Sequence, residues 1–312
     1  MTIANCNIIG NTAFRGGGAY FYETSLTIQN CKFIDNASTT ADGAGILIGG
    51  GPGVTITDCY FEENVARYNG GAISGSDFTV ERCVFVNNQA TGSNAKGGAI
   101  YGEGDVHISN SLFVGNKVGA VYLVGRWEND FPVSIASIIN CTFAGNYGTA
   151  LHLIFSPYRV RNTIFYGKTG STVSPPTISD YADNIILQDS TNPEQDQDPL
   201  YVAPALGNYR LRPGSPGIDT GTATDAPSMD LEGTPRPLGA AHDMGAYEFD
   251  PDAPFVDPYD PNGDGAINSL DIQEVINAAL GLGTTAITDI NSDGATNALD
   301  IQFIINAGLG IY

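Results

Sequence analysis

The stretch "NCKFIDN" runs from Asn30 to Asn36. A turn-forming residue, a small residue, a short β-prone run and a closing asparagine follow one another. The pattern returns as "NCNIIGN" from Asn5, "DCYFEEN" from Asp58, "RCVFVNN" from Arg82, "NSLFVGN" from Asn110, "NCTFAGN" from Asn140 and "NTIFYGK" from Asn162. The spacing varies from 22 residues (Asn140 to Asn162) to 30 (Asn110 to Asn140). A second motif lies between the copies, as "GGGAYFY", "GAGILIG", "GGAISG", "GGAIYG", "VGAVYL" and "GTALHL". A third precedes each later copy, as "SLTIQN", "GVTITD", "DFTVER", "DVHISN", "IASIIN" and "YRVRN".

Three short alternating segments per repeat, with Gly and Asn between them, describe one coil of a parallel β-helix. Each strand then pairs with its counterpart in the next coil, and like residues stack in columns. All five cysteines fall at one repeat position, which Ser111 and Thr163 also occupy. The spacing predicts a small inward column of free thiols acting as small hydrophobes. An odd number disfavours a full disulfide framework. Asn11, Asn36, Asn64, Asn88, Asn116 and Asn146 form a second column. Asparagine there would tolerate unusual turn angles and hydrogen-bond along the stack. The repeat fades at Lys168, which replaces the asparagine.

These repeats resemble the right-handed parallel β-helix proteins of secreted and surface bacterial proteins, over about residues 2 to 168. The resemblance implies a mainly β fold, a right-handed parallel β-helix with three strands per coil. That scaffold carries lyases, hydrolases, adhesins and spacers alike. From 169 to 250 the period is lost. "DPLYVAPALGNYRLRPGSPGIDTG" and "DLEGTPRPLGAAHDMGAYEF" are similar to the irregular tail that closes many such proteins, which implies a cap over the last coil and its free strand edge. Asp219, Asp230 and Asp243 would serve surface turns there, or hold a further cation. Residues 251–259 read as a proline-rich, semi-rigid linker.

The end of the chain carries different chemistry. "DPNGDGAINSLD" runs from Asp260 to Asp271, and "DINSDGATNALD" from Asp289 to Asp300. Calcium takes roughly six to eight oxygen ligands in a flexible shell. The first loop offers the side chains of Asp260, Asn262, Asp264, Asn268 and Asp271 and the carbonyl of Ala266. The second offers Asp289, Asn291, Asp293, Asn297 and Asp300 and the carbonyl of Ala295. Gly265 and Gly294 stand where the loop must turn sharply. Position 12 is Asp, where an EF-hand usually has Glu. Each loop leads into an apolar stripe of helical spacing: Ile272, Val275, Ile276, Ala279 and Leu280, then Ile301, Ile304, Ile305 and Leu309. Gly281 and Gly310 follow as helix stops.

A duplicated loop-then-helix with Asp at position 12 resembles a type I dockerin, covering about Asp257 to Tyr312, with the domain itself at 260–312. The resemblance implies two calcium ions and a cohesin-like partner. It places partner selection at loop positions 10 and 11, here Ser269 and Leu270, and Ala298 and Leu299. The pairs differ between copies, so the resemblance does not settle whether binding is symmetric and dual-mode. Neighbouring copies of the chain are the other partner expected.

The formal net charge of −21, from 34 acidic and 13 basic residues, argues against nucleic acid and anionic membrane surfaces, which need a basic face. No apolar run is long enough to span a bilayer, and the first residues carry no signal peptide. The repeat begins at residue 2 without a cap. Either upstream coils precede it, or the open edge is used for head-to-tail assembly into filaments. The expected location is extracellular or at the cell surface.

Catalysis on a polysaccharide would need carboxylate pairs or cations. The insertion "VGRWENDFPV" carries the single tryptophan. Trp127, Glu128 and Asp130 could bind a glycan or belong to a catalytic centre, and Trp127 could equally plug the loop against the coil wall. The sequence favours a secreted, non-catalytic structural or adhesive protein. The alternatives are a dockerin-borne polysaccharide lyase or glycoside hydrolase, and a glycan-binding protein.

Overall fold

Each coil turns its corners on single residues in the left-handed backbone region. In the computed structural model, Asn30, Asp58, Asn110, Asn140 and Asn162 have φ of 53°, 54°, 46°, 52° and 48°. They separate the strand before them from the strand after, as Asn30 separates Leu26–Gln29 from Lys32–Ile34. A second corner falls at Asp35, Glu63 and Asn87 (φ 52°, 52° and 54°). Asn and Asp tolerate this region best among residues with a side chain. The structure describes all residues except 23–24, 51–52, 129–130, 133, 155–156, 168–172, 175–181, 188–196, 284–285 and 311–312.

The coil strands pair with their counterparts in adjacent coils, in parallel. Leu26–Gln29 lies between Thr2–Ala4 and Val54–Thr57. Lys32–Ile34 lies between Asn7–Ile9 and Tyr60–Glu62. Ile46–Ile48 lies between Ala19–Phe21 and the start of Ile73–Glu81. A short additional column joins Thr12–Ala13, Ala37–Ser38, Val65–Ala66 and Gln89–Ala90. The result is a mainly β parallel solenoid, followed by two C-terminal helices.

In-register pairing turns sequence repeats into side-chain stacks. Phe33, Phe61, Phe85, Phe113, Phe143 and Phe165 form a continuous file with ring centroids 4.6 to 5.0 Å apart. Each such pair adds about 0.5–1.5 kcal/mol beyond burial. The asparagine column is a closed hydrogen-bond ladder. Asn64 Oδ1 accepts from Asn36 N at 3.1 Å and from Asn36 Nδ2 at 3.0 Å. Asn64 Nδ2 donates to Phe33 O at 2.8 Å and to Asn88 Oδ1 at 2.9 Å. Every polar atom of a fully buried amide is thereby used. The unusual backbone angle expected of these asparagines belongs instead to the residue before each.

The cysteine column also differs from expectation. Cys31, Cys59, Cys83 and Cys141 are buried and Cys6 is exposed, all as free thiols. They do more than fill space. Cys59 Sγ accepts from Cys31 N at 3.4 Å and donates to Thr57 O at 3.1 Å. Ser111 Oγ takes the same place, accepting from Cys83 N at 3.2 Å and donating to Ser109 O at 2.8 Å. The shared property of Cys, Ser and Thr here is a small γ atom that bridges two coils. Burial pushes the Cys141 thiol up to about 12, so it stays protonated.

Residues Pro216–Phe249 belong with the solenoid as one compact unit. They lie along the turn side, where Asn110, Asn140 and Asn162 donate to the carbonyls of Met229, Asp243 and Thr222 at 2.6, 2.9 and 2.8 Å. Asp230 and Asp243 are not surface residues: they are 1% and 2% exposed. Asp230 Oδ1 accepts from Glu232 N and Thr234 N, both at 2.8 Å. Beside them Arg236 and Glu248 form a fully buried ion pair at 2.8 Å. Arg236 also donates to Asp243 O and Gly245 O at 3.2 and 2.9 Å. These carboxylates organise the tail through backbone amides and an arginine.

The second unit comprises Leu200–Ser215 with Asp250–Tyr312. Helix α1 (Ser269–Ala279) and helix α2 (Ala298–Gly308) pack with the antiparallel hairpin of Tyr201–Ala203 and Asn208–Leu211. Their core is Ala203, Tyr259, Val275, Ile290, Ile304 and Ala307, with Val202 and Leu206 of the hairpin against it. The packing thus draws on a piece of the supposed cap and on Tyr259, from the supposed linker. Val275 and Ile304 are buried as the stripes predict. Leu280 and Leu309 are 68% and 67% exposed, because each sits at the C-cap, beyond the last turn facing the core.

Candidate metal centre

Two loops of one design precede the helices. Asn268 and Asn297 are N-caps, accepting from Leu270 N and Leu299 N at 2.8 Å each. Asp271 and Asp300 answer from the first turn, accepting from Asn268 N at 2.8 Å and Asn297 N at 2.7 Å. Each loop therefore ends in a reciprocal capping box. The Asp at position 12 thus also serves as the capping-box partner of the N-cap amide.

Loop closure comes from the first carboxylate. Asp260 accepts from Gly263 N and Asp264 N through Oδ1 at 2.9 and 3.2 Å, and from Gly265 N through Oδ2 at 2.8 Å. Asp289 accepts from Asp293 N at 3.1 Å and Gly294 N at 2.9 Å. Gly265 and Gly294 have φ of 85° and 91°, a conformation that glycine adopts without strain. Asn262 and Asn291 accept from Asp264 N and Asp293 N at 2.8 and 3.0 Å. Gly281 and Gly310 close the helices at φ 70° and 66°.

Asp271 and Asp300 are fully buried. Asp271 takes amides from Asn268 and Asn262, and Asp300 takes amides from Asn297, Ile290 and Asn291. Burial, and the nearby Asp260, hold the Asp271 carboxyl above its ordinary value against the pull of those amides. From Asp243 to Tyr312 the chain contains no Lys, Arg or His. Two buried carboxylates thus lie in a segment that supplies no positive charge of its own, a signal legible in composition. An isolated buried carboxylate is costly unless paired or bound to a metal.

The donor set fits calcium in type: hard oxygen atoms from carboxylates, amide side chains and the carbonyls of Ala266 and Ala295. Among the described residues no three Asp, Glu, His or Cys side chains converge as a ready metal cluster. Each loop mixes carboxylate with neutral oxygen, and its carboxylates rest on backbone amides.

Leu270 and Leu299, where the sequence places partner selection as an expectation, are each 58% exposed. Trp127–Glu128 and Phe131–Pro132 form a small antiparallel hairpin. Its stem is anchored by Arg126, which pairs with Asp77 and donates its N–H to Ser134 Oγ at 2.7 Å. Asp130 lies outside the described residues.

Comparison with known proteins agrees with this division. Residues 1–132 match the family described as "Right handed beta helix region", and residues 258–307 match "Dockerin type I domain". The chain therefore carries a right-handed β-helix region and a C-terminal dockerin type I domain. Over 180 residues, 48% of this chain, it is 27% identical to metabotropic glutamate receptor-like protein R of Dictyostelium discoideum, of which the match spans 11%. Among solved structures it is similar to pectate lyase Pel9A, with 19% identity and a TM-score of 0.51, over 79% of this chain and 65% of that one. That likeness concerns the fold alone. Dockerin type I domains bind calcium, typically dock cohesin partners and belong to extracellular or cell-surface proteins. No helix among the described residues is long and apolar enough to cross a membrane.

Proposed function

We propose that the chain is a secreted, non-catalytic β-helix protein attached or assembled through its dockerin domain. Two calcium ions organise that domain. The first is held by Asp260, Asn262, Asp264, Ala266 O, Asn268 and Asp271, and the second by Asp289, Asn291, Asp293, Ala295 O, Asn297 and Asp300. The buried pair Asp271 and Asp300, in a segment without basic residues, carries this reading. Bound calcium supplies the positive charge, and these side chains position it while capping the two helices. Ser269, Leu270, Ala298 and Leu299 form the face for a cohesin-like protein.

Isothermal titration of the chelated protein with calcium tests the first part. Two binding events are expected, and a single event, or none, would overturn the assignment. A cohesin panel tests the second: Leu270→Asp with Leu299→Asp should abolish docking, and unaltered docking contradicts it. The alternative of a dockerin-borne polysaccharide lyase or glycoside hydrolase predicts reducing or unsaturated sugar products that Glu128→Gln and Asp130→Asn diminish.

A further inference from the structure

The second unit is one-sided in charge. Asp250–Tyr312 carries ten acidic side chains and no Lys or Arg. The basic residues of the unit, Arg210 and Arg212, both come from Leu200–Ser215. Arg210 turns back on its own hairpin, donating to Asn208 Oδ1 at 3.3 Å. Arg212 reaches the helix-bearing segment instead. Its guanidinium donates to Asp257 Oδ2 at 2.6 Å and lies 5.6 Å from the centre of the Phe255 ring.

Backbone hydrogen bonds fix both partners of this pair. Arg212 N donates to Leu200 O at 2.9 Å, and Arg212 O accepts from Ser215 N at 3.1 Å, so the arginine is held at the foot of the hairpin. Asp257 Oδ1 accepts from Tyr259 N at 3.0 Å, and the Asp257 carbonyl accepts from Asp260 N at 3.1 Å. Tyr259 is buried in the helix core. Asp260 closes the first loop through the amides of Gly263, Asp264 and Gly265. A chain of contacts thus runs from the hairpin, through one carboxylate, to the residue that opens the first loop. The side chains of Arg212 and Asp257 are 32% and 14% exposed, so solvent screens the pair only in part.

The second loop lacks this device. It repeats the first 29 residues further on, and the place of Asp257 is taken by Ala286, which has no carboxylate to offer an arginine. At positions 1, 3, 5, 9 and 12 the two loops carry identical residues. The ion pair is therefore a difference between them that lies outside the ligand set.

We infer that Arg212 is a positioning residue for the first calcium site: by holding Asp257 it fixes where Asp260 enters the loop, and so couples docking of the hairpin to calcium binding at the first site and not at the second. The inference rests on the calcium role proposed for the loops. Arg212 acts through position rather than charge, because its charge is cancelled by Asp257 and a bare cation beside the loop would repel calcium. The coupling is reciprocal, so calcium in the first loop also tightens the hairpin.

The test is a calcium titration of the full chain in which nuclear magnetic resonance follows the amides of Gly265 and Gly294 separately. These amides donate to Asp260 and Asp289 and so report the two loops one by one. The variant is Arg212→Gln with Asp257→Asn, which leaves the net charge unchanged and keeps an oxygen for Tyr259 N. Binding at the first loop should weaken about fivefold or more, with the second loop within about twofold of its original affinity. Arg212→Lys, which keeps the ion pair, should retain first-loop binding. In the unaltered chain calcium should slow hydrogen exchange at the Arg212 amide, and the paired variant should lose that slowing. Unchanged affinity at the first loop overturns the inference. So does equal weakening at both loops, which is what a general loss of stability would give. If neither amide responds to calcium in the unaltered chain, the calcium reading itself fails and takes the inference with it.

Discussion

The solenoid and the loop–helix unit solve the problem of burying polar groups in opposite ways. In the solenoid the amides of the Asn36–Asn146 column are satisfied by the same residue one coil away, as Asn64 is by Asn36 and Asn88, so stability is distributed over a repeating stack. In the loop–helix unit, six buried apolar residues accompany two buried carboxylates with no basic residue in that stretch of chain. The first unit carries its own complement, whereas the two buried carboxylates of the second rest on backbone amides, and calcium is the complement proposed for them.

Calcium removal gives the largest expected difference. A ligand at ~1,000 times its Kd stabilises the folded state by about 4 kcal/mol per site. Excess chelator should therefore unfold the loop–helix unit and spare the solenoid, as followed by proteolysis and helical circular dichroism. Retained α1 and α2 without calcium would erase the contrast.

The pH dependence of the tail comes next. Burial pushes the Asp243 carboxyl up to about 6, against the amides of Asp219 and Phe249, with Glu248 adding to the rise. A raised folded value means that its contribution is fully present below about pH 4 and is lost as pH climbs through 6. About two pH units correspond to about 3 kcal/mol. The solenoid melting transition should fall between pH 4 and 6.5, and Asp243→Asn should flatten that slope. An unchanged slope would remove Asp243 from the account.

Breaking one rung sharpens the solenoid side. Asn88→Ala leaves the Asn64 amides without their acceptor, a loss of about 2 kcal/mol in chemical denaturation, with calcium affinity unaltered. Smallest is Val202→Asp, which places a charge where the hairpin meets the helix core. The loop–helix unit should lose about 1 kcal/mol, with the solenoid untouched. No loss would mean that the hairpin merely lies beside the helices.

Much of this contrast is legible in sequence because it is local or periodic. Asn30 to Asn36 and its copies announce the coil, and the spacing Asp260 to Asp271 announces the loop of a dockerin type I domain. The phenylalanine file was written in the same repeats, in the residue two after each buried cysteine, Ser111 and Thr163, and needed only alignment by strand register to be seen. The hydrogen-bonding role of the cysteine position was signalled by Ser111 and Thr163, which share its γ donor and acceptor.

The sequence alone determined the solenoid, the paired acidic loops and the two helices, since each depends on residues close in the chain or repeated at a steady interval. Tertiary structure decided that Leu200–Ser215 joins the helices, that Arg236 and Glu248 bury their charges together, and that Arg212 meets Asp257. Those pairings join distant or non-repeating segments. Their stability comes from burial and close contact, which no local pattern records.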